Sequence, residues 1–222
     1  MEFKDVTAKN YKDQAIFFLN AFWAECGSKA EEIWKQYHLV IEFDMENHAE
    51  GSKLDEFQSH RLLEKEGIPL SVQEMRQKLN VSDPKYKRVA FIEFLLFKNN
   101  QTITELMKRP QGTNEALIKA QKAMEDVQNE INKIEQKKAE LQKKSLSGSG
   151  VAAMRANAEL QQLLSADNTE LNRALLTAEA SVRKAQKMGT DGGAAQGALW
   201  WLDRELTEAK KYKPQKKGGI AK

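Results

Sequence analysis

Few residues in this chain are placed for catalysis. The single cysteine, Cys26, has no second Cys or His at metal-ligand spacing beside it and cannot close an internal disulfide, as suits a reducing compartment. His38, His48 and His60 lie near no serine or cysteine pattern that would make an activated nucleophile, so no catalytic motif is found and no enzyme is expected. Two chemistries remain: oxygen ligation of a divalent cation, and recognition of acidic surfaces by lysine. Calcium needs a 12-residue loop with oxygen ligands at positions 1, 3 and 5, glycine at 6 and a bidentate glutamate at 12. With Glu93 at position 12 and Val89 at 8, one loop puts Ser82, Pro84, Tyr86 and Lys87 at positions 1, 3, 5 and 6. In this loop, Ser82 to Glu93, only Glu93 keeps its ligand type, and Lys85, Lys87 and Arg88 repel a cation. A second register, with Leu54 at position 8, places Asn47, Ala49, Gly51 and Gln58 at positions 1, 3, 5 and 12. Both loops are degenerate, so no metal site, no cofactor and no tight Ca2+ binding are expected. Glu93 then reads as a surface or salt-bridged helix residue, and Glu42, Asp44, Glu46 and Glu50 as a solvated acidic face.

The elements around these loops are helical, because Pro and Gly are scarce and punctuate the chain. Four helices are predicted before Pro110. The first runs from about Asp13 to Glu25 on Ala15, Ile16, Leu19, Phe22 and Trp23, and ends at Cys26-Gly27. Ser28 and Glu31 form a capping box for the second, which reaches Phe43. A third follows Leu54 and stops at Gly67; a fourth opens at Ser71 with Glu74 as a capping box and Val72, Met75 and Leu79 inward. Helix, polar loop, one strand-like apolar residue, helix occurs twice, which is the cadence of a paired EF-hand. Phe91, Phe94, Leu95 and Phe97 let such a pair fold on its apolar core without metal.

After Pro110 the composition turns to Ala, Lys, Glu and Gln. Leu117, Ala120, Met124, Val127, Ile131, Ile134 and Leu141 recur in steps of three and four, with Lys138 interrupting, which makes a heptad seam. A reversal at residues 145–150 leads into Ala153, Ala156, Leu160 and Leu163; a break at Asp167 to Thr169 leads into Leu171, Leu175, Ala178, Val182 and Ala185. An antiparallel helical hairpin accounts for this pattern without dimerisation, and self-association through the seam stays open. A glycine-rich linker, residues 188–197, precedes a short helix in which at least one of Trp200 and Trp201 anchors to the protein body. The fold class is therefore all-α: a degenerate EF-hand-like domain over 1–109, a coiled-coil-like hairpin rod over 110–188, and over 189–222 a linker, a Trp-Trp helix and a basic tail.

Charge is uneven. Residues 1–109 carry a net −2 and residues 110–222 a net +5, of which +4 falls in the last 24 residues. The tail from Lys210 to Lys217 is expected to stay solvated. No apolar run approaches the roughly 20 residues of a membrane span, and residues 1–13 lack a basic-then-apolar pattern, so neither secretion nor a membrane is expected.

Several segments together resemble the calcium-regulated actin-bundling proteins, a family of EF-hand-containing protist cross-linkers. They are Gln14 to Glu25, Val89 to Phe97, Ala116 to Leu141, Leu171 to Arg183, Gly197 to Arg204 and Pro214 to Lys217, in order across nearly the whole chain. The resemblance implies F-actin binding and bundling without enzymatic activity, in the cytoplasm on the cytoskeleton, cortical or axonemal. It implies filament contact by the region from Asn114 to Asn172 and by the C-terminus from Leu199 to Lys217. The loops depart from the family pattern, so calcium control is the part not carried over. Candidate actin-binding residues are Lys119, Lys122, Lys133, Lys137, Lys143 and Lys144 on the rod and Lys210, Lys211, Lys213, Lys216 and Lys217 on the tail. Rival readings are a structural protein of microtubules or another filament, and a calcium sensor that binds a target helix. Nucleic acid ranks last, because Tyr212 alone interleaves the lysines. The expected state is a monomer or a weak self-associating species.

Overall fold

The computed structural model describes residues 1–79, 87–112, 115–147, 150–165, 168–188 and 195–212. Helices α1 (Phe3–Thr7), α2 (Tyr11–Ala21), α3 (Trp23–Cys26), α4 (Ala30–Phe43), α5 (Glu56–Lys65), α6 (Val72–Lys78), α7 (Phe91–Lys98) and α8 (Ile103–Lys108) share a first unit with strands β1 (Lys53–Leu54) and β2 (Val89–Ala90). A second unit contains α9 (Glu115–Ser147), α10 (Gly150–Ser165) and α11 (Thr169–Met188). The last helix, α12 (Gln196–Lys211), belongs to the first unit up to Trp201 and to the second from Leu202. No helix among the described residues is long and apolar enough to cross a membrane.

In the first unit β1 pairs antiparallel with β2, Leu54 opposite Val89 and Lys53 opposite Ala90. These partners are the position-8 residues of the two degenerate loops, so the EF-hand pairing and its register hold. Helices α4 and α5 flank the first loop; α6 and α7 flank the second. Phe18, Leu19, Phe22, Ile33, Met75, Phe91, Ile92, Phe94 and Leu95 are fully buried at the centre. Buried Gln14 ties the pair together. Its amide nitrogen donates to the carbonyls of Lys9 (2.6 Å) and Ser52 (2.8 Å), and its oxygen accepts the Ile92 N–H at 2.9 Å.

Several local expectations need correction. The first predicted helix is two, α2 and α3, broken at Phe22 (φ −118°, ψ 31°). Helices α1, α7 and α8 stand outside the expected set of four, α7 on the apolar run that leaves the second loop. The Ser28–Glu31 capping box does not form: Gly27–Lys29 make a 3-10 turn and α4 starts from Lys29 without a side-chain cap. The Ser71–Glu74 box does form, but Val72 faces outward at 38% exposure while Met75 and Leu79 are buried.

In the second unit the 33 residues of α9 span about 50 Å. Both α10 and α11 pack along it, and the seam residues Leu117, Ala120, Met124, Val127, Ile134 and Leu141 are buried. The run is antiparallel: Lys184 of α11 acts on Glu115, Glu170 on Lys133, and Glu159 of α10 on Lys144. The outgoing helix continues to Ser147, three residues into the expected reversal, and Gly150 opens α10 at φ +61°. The break falls as expected, with Asn168 Oδ1 accepting the Leu171 N–H at 3.4 Å to start α11.

Candidate filament-binding surface

The rod lysines lie on the side of α9 turned away from the seam. Lys119, Lys133 and Lys144 are 65%, 67% and 62% exposed, and Lys122, Lys137 and Lys143 are exposed as well. Helical spacing partners half of them. Lys119 reaches Glu115, Lys133 reaches Glu130 and Lys144 reaches Glu140, each at 2.6 Å. These contacts hold the Glu115 and Glu140 carboxyls below the usual range and raise the Lys133 ammonium above its own. Lys122, Lys137 and Lys143 form no ion pair among the described residues. The face is thus ladder-like, with neutralised rungs between unpaired cations.

Beside it lies an open groove of about 330 Å³ between α9 and α11, lined by Asp126, Glu130, Lys133, Glu170, Arg173 and Thr177. Sequence reasoning missed the α11 side of this groove. The antiparallel hairpin was legible, but the register of charges across it depends on where each helix starts.

The tail expectation is partly overturned. Lys210 and Lys211 are not in a solvated tail but end helix α12, where Leu206 and Ala209 are buried. Lys210 Nζ lies 2.9 Å from Glu179 of α11, and this hydrogen bond depresses the Glu179 carboxyl. Lys211 stays 68% exposed near Glu208. Tyr212 is half-buried and donates to Glu135 of α9 at 2.6 Å; burial first, then that bond, pushes its phenol above the ordinary range. Glu135 also accepts from Lys138, the seam-breaking lysine, at 2.8 Å, which explains how a cation 7% exposed is tolerated there. Lys213, Lys216 and Lys217 lie outside the described residues.

The buried carboxylates of the two loops are engaged within the fold. Asp44 is buried rather than part of a solvated face: its Oδ2 accepts from the Tyr11 hydroxyl at 2.7 Å and its Oδ1 from the N–H groups of Glu46 (3.1 Å) and Asn47 (2.9 Å). Glu42, Glu46 and Glu50 are exposed as expected. A Cβ on Gly51 would meet Asp44 Oδ2 at 2.0 Å, so the loop closes on its own side chains. Arg88 reaches back to Glu46 at 3.2 Å. Glu93 is not a surface residue; it is 2% exposed, and its carboxylate accepts the Ala90 N–H at 2.7 Å at the start of α7. Ser82, Pro84, Lys85 and Tyr86 lie outside the described residues. The described residues do not fit a calcium ion, and none of them group as three or more metal ligands.

Residues 88–218 match the family described as F actin bundling C terminal. The chain belongs to this F-actin bundling family. It is 31% identical to a calcium-regulated actin-bundling protein of Dictyostelium discoideum, over 97% of this chain and 89% of that one. A crystal structure of the 34 kDa F-actin bundling protein from the same organism superimposes with a TM-score of 0.82 at 31% identity, covering 97% and 96% of the two chains. The all-α architecture of this family member is that of its solved relative. The matched stretch contains all of α9 to α12 and every candidate lysine.

Proposed function

We propose that this chain binds actin filaments and cross-links them into bundles, in a structural and non-catalytic role in the cytoplasmic cytoskeleton, without calcium control. The observation that carries the reading is the outward lysine face of α9, which lies wholly inside the family match. Actin filaments present acidic patches, and a stiff helix about 50 Å long with unpaired Lys122, Lys137 and Lys143 offers cations at fixed spacing against them. Because Glu115, Glu130 and Glu140 neutralise their neighbours, affinity rests on fit as much as on net charge. Calcium indifference is supported by Asp44 and Glu93, whose carboxylates serve hydrogen bonds inside the fold.

Sedimentation with F-actin tests this. The chain is expected to pellet with filaments at high speed and to bring them down at low speed, with calcium or chelator alike. Pelleting with microtubules and not with actin would favour the other filament. A sharp calcium response would overturn the reading of the loops.

A further inference from the structure

Helix α9 ends on Lys143-Lys144-Ser145-Leu146-Ser147, and the fold separates its two serines. Ser145 stands one turn beyond buried Leu141, on the seam side, and is half-buried. Ser147, the last residue of the helix, faces away from the seam and is exposed. Its hydroxyl donates to the Lys143 carbonyl at 2.7 Å, and Lys143 and Lys144, four and three residues before it, share its face. Both lysines reach solvent: Lys144 is 62% exposed beside Glu140, and Lys143 is exposed with no ion pair among the described residues. Other exposed hydroxyls of the second unit lack this setting. Ser165 closes α10 behind Gln161 and Gln162, while Thr177 and Thr207 stand inside α11 and α12.

We infer that Ser147 is a phosphorylation site for a basophilic serine kinase, and that the phosphate switches off this end of the lysine face. The second clause rests on the proposed function and names a regulation for it; the first does not. In the transfer, Ser147 Oγ bonds to the γ-phosphorus of ATP as the bond to the β–γ bridging oxygen breaks, ADP leaves, and the hydroxyl proton passes to the catalytic carboxylate of the kinase. A kinase cleft lined with carboxylates selects Lys143 and Lys144 just before the acceptor. Entering it requires release of the last turn of α9, whose final carbonyls have no partner within the helix. At neutral pH the added group carries about −1.5 to −2 of charge. It stands at the negative end of the helix dipole, so Lys143 and Lys144 are drawn to it and away from a filament. Lys144 is already shared with Glu140, so this end of the ladder turns from net positive to net negative, and an acidic polymer is repelled where it was attracted. Asp44 and Glu93 are committed inside the fold, and charge placed on the rod is a control that needs no metal site.

The test incubates the full chain with Mg2+, ATP and a kinase that selects a basic residue three positions before the serine. Mass spectrometry should find the phosphate on Ser147; Ser147→Ala should abolish the labelling, Ser145→Ala keep it and Lys144→Gln lower it. For the effect on filaments, phosphoserine is placed at position 147 during synthesis. High-speed pelleting with F-actin should weaken by about fivefold near physiological salt, with the gap narrowing as salt rises, while Ser147→Ala pellets like the parent chain. Three results overturn the proposal: no label or label on another residue, unchanged pelleting with phosphoserine at 147, or a deficit indifferent to salt, which would mean a damaged helix end rather than a change of charge. If the unmodified chain does not pellet with actin, the filament reading fails separately, and the labelling alone decides the site.

Discussion

Asp44 shows how residue type and residue role separate. One acidic side chain among Glu42, Glu46 and Glu50 carries no mark of burial in the sequence, yet three donors converge on it, including Tyr11 from another helix. Tyr11→Phe removes the hydroxyl and leaves a carboxylate 5% exposed short of a partner, an expected loss of about 1–3 kcal/mol read by urea unfolding. Burial, and then the Asp44 bond, raises the Tyr11 phenol, so its contribution is complete below the ordinary phenol range and is lost as pH rises through the folded value. The opposite sign applies to Glu25 and Glu32. Arg109 and Lys98 respectively hold these carboxyls below the ordinary value of 4.5, so their stabilisation is present above it and is lost as pH falls through the folded values. Thermal melts of Glu32→Gln from about pH 6 to about pH 3 should show a shallower acid loss than the parent protein. Glu32 also meets Gln36 at 3.2 Å, in a cluster with Glu66 and Lys98 that joins α4 to α7, so the variant should start from a lower melting point at neutral pH.

Elements were legible where one periodicity ran long and uninterrupted. The α9 seam fixed its own buried residues, and the pairing of Leu54 with Val89 followed from loop register alone. The rest turned on tertiary contacts that local pattern does not carry. Ser28 and Glu31 had the right types for a cap, but the Gly27–Lys29 turn packs under Trp23 and sets the start of α4 instead. Lys210 and Tyr212 looked like tail because their partners, Glu179 and Glu135, lie far off in sequence. Gly197 was legible only as part of a glycine-rich linker, whereas it is a point of close approach. A Cβ there would fall 2.5 Å from Leu19 Cβ and 2.6 Å from the Asn20 nitrogen, and the next N–H, of Ala198, donates to Asn20 Oδ1 at 2.8 Å. The start of α12 also seats Trp201, fully buried, 4.8 Å from the Trp34 ring and 5.2 Å from Tyr37. Gly197→Val should lift this turn off α2, costing about 1–3 kcal/mol by overpacking, with tryptophan emission shifted to the red. Retained emission and stability would mean that the helix start tolerates a side chain against α2.

For the whole molecule, the division of labour between charge and fit sets what salt and mutation do. A chain that is +3 overall, with its excess beyond Pro110, approaches an acidic polymer with a modest long-range bias. Exposed lysine contacts are screened over about 8–10 Å at physiological ionic strength, so binding should weaken as salt rises. The rungs of the α9 ladder then separate by type. Replacing Lys119, Lys133 and Lys144 by Gln removes cations already shared with Glu115, Glu130 and Glu140 and exposes those carboxylates, a change the filament feels chiefly through net charge. Replacing Lys122, Lys137 and Lys143 by Gln removes cations with no ion pair on the helix, so direct contacts are lost outright. If geometry governs, the second triple variant loses affinity that low salt does not restore, while the first regains much of its binding as salt is lowered. High-speed pelleting across a salt series measures both. Equal losses with parallel salt dependence would mean that the lysine face acts as a diffuse charge, and that the pairing of its rungs has no part in filament recognition.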